Sequence, residues 1–104
     1  MNTFKDRENA FETKFAHDAE MQFRAEARRN KLLGLWAAEL LGKTGDDATT
    51  YAAEVIKADM QEPGDEDVYR KLAADLGSLA EERLIREQMT MLMARAKAEL
   101  LDEN

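Results

Sequence analysis

The sequence predicts an all-α protein, a compact four-helix bundle with a mobile N-terminal amphipathic arm. Three observations carry this. Ala, Leu, Met, Glu, Lys and Arg dominate the chain, and these residues favour helix. Strand formers are scarce, with Val55 and Val68 the only valines and Ile56 and Ile85 the only isoleucines. Apolar residues recur at helical spacing between short breaks at Gly and Pro. A chain of 104 residues makes one domain, or one domain plus a tail, with a modest core of three or four elements.

The first segment is set apart by its aromatic residues. All four phenylalanines (Phe4, Phe11, Phe15, Phe23) lie in the first 23 residues. At about 100° per residue, Phe4, Phe11 and Phe15 share one narrow helical stripe. The next positions of that stripe are Asp18 and Gln22, so it stops before the globular part begins. Residues 1–16 contain no Gly, no Pro and no clear cap, and so short a helix is marginal alone in water. Residues 1–17 therefore read as an arm that frays when free and becomes helical when a surface is supplied. The alternative is an added helix that folds back and buries the three rings. Against it, Lys5, Asp6, Arg7, Glu8, Glu12 and Lys14 surround the stripe, as suits a helix docking its aromatic anchors in a partner's groove.

Residues 18–104 read as the bundle. The first helix runs about 18–42. Phe23, Ala27, Leu32, Leu33, Leu35, Trp36, Leu40 and Leu41 cover more than half of its circumference, which predicts neighbours on several sides. Gly42 and Gly45 end it, and within it Gly34 suits a close helix approach. The second helix runs about 47–61 and opens on Asp46 and Asp47, acids at the positive end of its dipole. Its face is Tyr51, Ala52, Val55, Ile56 and Met60. Pro63-Gly64 breaks it. The third, 66–76, opens on Asp65-Glu66-Asp67, buries Val68, Tyr69, Leu72, Ala73 and Leu76, and ends at Gly77. Ser78-Leu79-Ala80-Glu81 has the form of a capping box. A fourth helix would follow over about 79–101, with Ile85, Met89, Leu92, Ala96 and Leu100 as its stripe.

Composition narrows the function. There is no cysteine, which excludes disulfides and thiolate metal sites. The start carries no apolar signal segment. The stretch Leu32 to Leu41 is too short to span a bilayer and holds Glu39. A cytoplasmic protein without membrane insertion is expected. Net charge is −7, which argues against nucleic acid as a partner. The charge is uneven: residues 21–43 hold five bases against two acids, and residues 44–77 three bases against nine acids. Arg24, Arg28, Arg29 and Lys31 therefore either pair with acids of the same fold or form a basic rim for an anionic ligand.

No catalytic constellation emerges. His17, the only histidine, makes an i, i+3 pair with Glu20. Carboxylate-bridged metal sites need repeated Glu-x-x-His motifs in the other order, so no metal is expected. Gly64-Asp65-Glu66-Asp67 lacks the spaced ligands of a calcium loop and reads as helix capping. Met89, Met91 and Met93 sit at every second position, cannot share one stripe and read as core filler. No glycine-framed serine or Gly-rich phosphate loop is present. The chain does not read as an enzyme.

From Phe15 to Gly42 the chain runs FAHDAEMQFRAEARRNKLLGLWAAELLG. This resembles the ATPase inhibitor zeta subunits of alphaproteobacterial F-type ATP synthases, a small all-helical family earlier described as a domain of unknown function. The opening Thr3-Phe4-x-Asp6-Arg7-Glu8-x-Ala10-Phe11-Glu12 resembles it too, as do Glu66-Asp67-Val68, Arg70-Lys71-Leu72 and Asp75-Leu76. The likeness spans essentially the whole chain and is weakest in residues 43–50 and the last helix.

The resemblance implies a four-helix bundle whose N-terminal arm enters a catalytic interface of the ATPase head and blocks rotation in the hydrolysis direction. Mitochondrial inhibitor proteins act similarly with an N-terminal helix. The partners so implied are the alpha, beta and gamma subunits. The protein would be monomeric when free and peripheral to the inner membrane when bound. Phe4, Phe11 and Phe15 would anchor the arm, and Asp6, Arg7, Glu8 and Glu12 would set its register. Weak adenine-nucleotide binding is also associated with the family, for which Arg24, Arg28 and Arg29 are candidate contacts; no other cofactor is expected. The competing reading is a small nucleotide-sensing or adaptor bundle without inhibitory activity.

Overall fold

The computed structural model describes residues 18–59 and 65–103, and these form four helices and no strand. The expected arm (residues 1–17) and Met60 lie outside the described residues. Asp18 opens the first helix. Its backbone is extended and its carboxylate accepts hydrogen bonds from the Glu20 and Met21 N–H groups at 3.0 and 3.2 Å. Two of the orphan amides at the helix start are thus satisfied locally. Helix α1 spans Ala19–Leu40. Past it, Lys43 N–H donates to the Ala38 carbonyl at 2.8 Å and Gly42 N–H to the Glu39 carbonyl at 3.1 Å. That is a Schellman ending, and it needs the left-handed backbone that Gly42 adopts at φ +76°.

Helix α2 spans Gly45–Asp59, with Asp46 and Asp47 in its first turn. Helix α3 spans Glu66–Leu76 and stops at Gly77. The chain then departs from the capping-box expectation. Ser78 lies within a short 3-10 turn, Gly77–Leu79, and α4 spans Glu82–Glu103. Between them Ala80 is extended, with φ −152° and ψ 129°. It is also buried in the core. Packing Ala80 inward requires that extended residue, which delays the helix and leaves Ser78 unable to cap it.

The helices run up and down. Tyr51 and Glu54 of α2 reach Asp75 and Lys71 of α3 respectively, and Met21 and Ala25 of α1 cluster with Leu100 of α4 whereas Leu33 and Ala37 cluster with Ile85 and Met89. Both pairs are therefore antiparallel. The main core joins Leu33, Ala37 and Ala38 to Tyr51 and Val55, to Val68, Leu72 and Leu76, and to Ile85, Met89 and Leu92. A smaller cluster of Met21, Ala25 and Leu100 closes the other end of the α1–α4 pair. The α2–α3 hairpin thus packs against the C-terminal part of α1.

The expected stripe of α4 is buried throughout, while Met91, read as core filler, is 54% exposed. Helix α1 departs further from expectation. Phe23, Leu35 and Leu40 are exposed, and the helix faces inward through Met21, Ala25, Arg29, Asn30, Leu33, Gly34, Ala37 and Ala38. The reason is close approach. A Cβ placed on Gly34 would lie 2.6 Å from Ala52 Cα and 3.1 Å from Ala52 Cβ. The two helices meet nearly backbone to backbone, and small residues allow it.

Gly34→Ala is expected to destabilise the bundle. Overpacking costs about 1–3 kcal/mol, against a helix-propensity gain of about 1 kcal/mol. Gly34→Val should cost more. Urea unfolding followed by circular dichroism checks both; a more stable Gly34→Val protein would contradict the close approach.

Candidate functional site

Of the residues singled out in the sequence, Phe4, Asp6, Arg7, Glu8, Phe11, Glu12, Phe15 and His17 lie outside the described residues. The described part of the site begins at the root of the arm, at the Asp18 cap and the first turns of α1. Phe23 is five residues past the cap and 60% exposed. In an α-helix that places it about 7.5 Å along the axis from Asp18. Sequence reasoning assigned Phe23 to helix packing and missed its exposure.

The three candidate anion contacts point different ways and already hold carboxylates. Arg24 is exposed and donates to Glu20 one turn earlier at 2.8 Å. Arg28 bridges to α4, 2.7 Å from Glu103 and 3.6 Å from Glu99. The Arg29 side chain is 2% exposed. It donates to Asp65 Oδ1 at 2.9 Å and to Asn30 Oδ1 at 2.9 Å, and lies 3.8 Å from Asp59. Two of the open readings of these bases are thereby separated. Arg29 pairs with the acidic middle of the fold, and an anion at any of the three would displace an acid already present. The burial of Arg29 had a visible signal: Met21, Ala25, Arg29, Leu33 and Ala37 follow one another at steps of four, so Arg29 occupies a core-facing row.

Around that guanidinium stands a surplus of carboxylates. Glu26 is one turn before Arg29 on α1, Asp59 is the last described residue of α2 and Asp65 precedes α3. Burial first, then the charge of Asp59, pushes the Glu26 carboxyl above its usual range, although Arg29 opposes this. The charged form of Glu26 is therefore disfavoured by folding. Its contribution to stability is present at low pH and is lost as pH rises through its folded value.

A second polar network fastens α2 to α3. Tyr51 Oη donates to Asp75 at 2.8 Å, and Lys71 Nζ donates to Asp75 at 3.0 Å and Glu54 at 3.4 Å. Burial, followed by the bond to Asp75, pushes the Tyr51 hydroxyl up. Burial works against ionisation of Asp75, but the bonds from Lys71 and Tyr51 outweigh it and hold its carboxyl below the usual range. Its stabilisation is present at neutral pH and is lost as pH falls through that lowered value. Arg86 ties α3 to α4, donating to Glu66 at 3.0 and 3.3 Å while stacking 4.0 Å from the Tyr69 ring. Among the described residues no cluster of His, Asp or Glu could hold a metal ion, and no helix is long and apolar enough to cross a membrane. A hollow on the outer face of α4, bordered by Glu82, Arg86, Glu87 and Met91, is open rather than enclosed.

Comparison with known proteins gives these features a family. The profile of the family described as ATPase inhibitor subunit zeta matches residues 1–99. The chain belongs to that family. A protein whose structure was solved by nuclear magnetic resonance in solution is 60% identical, over 81% of this chain and 99% of that one, with a TM-score of 0.75. No functionally curated protein matches.

Replacing Arg29 with Ala should destabilise the fold by about 3 kcal/mol, the low end for breaking a buried ion pair. Asp65 is half exposed and can hydrate, which limits the loss. Glu26, deprived of the one base that lowers its pKa, should titrate still higher. Urea unfolding and carboxyl-detected magnetic resonance titration check the two effects, and Glu26→Gln should be at least as stable as the parent at neutral pH.

Proposed function

We propose that this chain restrains ATP hydrolysis by the catalytic head of an F-type ATP synthase, as a regulator rather than an enzyme. The observation that carries this reading is the extent of the family match, residues 1–99. It takes in the aromatic arm as well as the bundle.

The division of the molecule supports the same reading. The core of the described residues is built by side chains of α1–α4 and the Ala80 corner. Helix α1 has its own N-cap at Asp18, so the bundle's first helix starts without needing a helical turn before it. The arm is then left to bind elsewhere. Phe4, Phe11 and Phe15 would anchor it in the crevice between alpha and beta subunits, near gamma. Asp6, Arg7, Glu8 and Glu12 would fix its register by charge complementarity more than by added affinity. Hydrolysis requires that interface to open and close around a turning rotor. A helix wedged there is compressed by one sense of rotation and released by the other.

The bundle would remain outside and hold the arm at high effective concentration. The protein would act in the cytoplasm, monomeric when free, and meet the inner membrane only through the synthase. The adaptor or nucleotide-sensing alternative leans on Arg24, Arg28 and Arg29. Each of these is engaged by carboxylates of the same chain, which favours the inhibitor.

The test is titration of the full chain into ATP hydrolysis by a matched synthase head, beside a form lacking residues 1–16. The full chain should inhibit. The shortened form should keep its helical circular dichroism and cooperative melting yet lose inhibition. Unfolding of the shortened form would place the rings in the core, and undiminished inhibition would move the activity to another surface. No inhibition by either form would favour the adaptor.

A further inference from the structure

The row of α1 that packs on α2 continues toward the N-terminus of α1, past the level of Asp59. Gly34 meets Ala52 of α2. Seven residues are nearly two helical turns, so Asn30, Phe23 and the Gly34 position lie close to one line along the helix. Asn30 is buried on that line, whereas Phe23 is 60% exposed. The described part of α2 reaches Asp59, beside Arg29. Among the described residues Phe23 belongs to neither apolar cluster.

Around Phe23 the acids outnumber the bases: Arg24 beside it is held by Glu20 at 2.8 Å, and Glu26, Asp59 and Asp65 stand about Arg29. Glu26 is its i+3 neighbour and adjoins Arg29, which holds Asp65 and lies near Asp59. Two carboxylates pair with that guanidinium, and Glu26 feels the charge of all three groups. That guanidinium is buried, while Glu26 and Asp65 reach solvent. Burial first, and then the negative charge of Asp59, raises the Glu26 carboxyl.

Resting on the inhibitor reading, we propose that the first two turns of α1 form a second contact with the ATPase head. Phe23 enters an apolar hollow at the mouth of the crevice that takes the arm, and Glu26 and Asp65 face basic side chains on its rim. Two arguments commit the patch to this occupant. The first is continuity. An arm inserted up to residue 17 holds Asp18 at the mouth, and Phe23 follows about 7.5 Å along the helix. The wall of the crevice is then the nearest foreign surface. The second is charge. An aromatic ring bordered by surplus carboxylates fits an apolar hollow ringed by Arg or Lys. Aromatic residues of this size are frequent anchors in interfaces. A contact at the mouth would resist withdrawal of the arm and so act mainly on the rate of release.

The experiment uses full-length protein, the matched synthase head and three variants: Phe23→Ser, Phe23→Leu and Glu26→Lys. Phe23 and Glu26 are exposed, so melting should change little. Phe23→Ser should raise the half-inhibitory concentration about tenfold, as expected for loss of one interface anchor. Most of that change should appear as faster recovery of hydrolysis after dilution. Phe23→Leu, which keeps an apolar side chain, should restore much of the loss. Glu26→Lys should weaken inhibition several-fold and flatten its dependence on salt. Inhibition by Phe23→Ser and Glu26→Lys at the parent's concentrations, with the same recovery rate, overturns the inference. The form lacking residues 1–16 separates the two readings. If it loses inhibition while these variants keep it, the inhibitor reading stands and the second contact falls. If the parent itself does not inhibit, both fall.

Discussion

The close approach of α1 and α2 at Gly34 and Ala52 governs how this molecule is arranged. With no side chain on Gly34 and only a methyl on Ala52, the two backbones come nearly into contact. That contact turns the small side of α1, Gly34, Ala37 and Ala38, toward the hairpin. It also sets the register of the hairpin along α1. The described part of α2 is 15 residues and α1 is 22, and Asp59, the last described residue of α2, lies level with Arg29. The buried guanidinium of Arg29 gathers Asp59 and Asp65 from the two sides of the α2–α3 connection. A buried ion pair of this sort is weak evidence for added stability. Its clearer consequence is register, because a hairpin displaced along α1 would strand Arg29 without a carboxylate.

The same arrangement separates stability from binding. The main core draws on all four helices and excludes water from Leu33, Val55, Val68, Leu72 and Ile85. The α1–α4 pair is closed at its far end by Met21, Ala25 and Leu100 and tied by Arg28 to Glu99 and Glu103. Exposed ion pairs such as Arg24 with Glu20 add little to this. Exposed positions at the root of the arm are therefore open to evolve for recognition without loss of the fold.

Much of the fold was legible in the sequence. The stripe Ile85, Met89, Leu92, Ala96 and Leu100 is buried as its period of about 3.6 implies. The glycine ending α1 and the acids opening α2 and α3 act locally, and local chemistry is what a sequence displays most directly. Two matters escaped it. Hydrophobicity alone put Phe23, Leu35 and Leu40 inside, but α1 packs through its small residues, and a close backbone approach is a tertiary fact with a weak signature. Ser78 and Glu81 satisfy the spacing of a capping box, yet burial of Ala80 decides where the chain turns. At the candidate site the charges were visible and their partners were not. Arg29 is far in sequence from Asp59 and Asp65, and only the folded chain shows both acids at one base.

Binding by a short helix carries an ordering cost, since 17 residues alone hold little helix in water. A rigid bundle does not remove that cost, but it changes what must be ordered. The Asp18 cap fixes the chain at residue 18 before any partner is met. Once the bundle touches the head, closing the remaining segment is intramolecular and costs little more for each added residue. A contact at the arm's root then acts twice. It adds its own burial, and it holds the tether at the point from which the arm must propagate. In the proposed complex, release by rotation would have to undo both the wedge in the crevice and the contact at its mouth. Phe23, outside the core and five residues past the cap, is the side chain proposed for this second role.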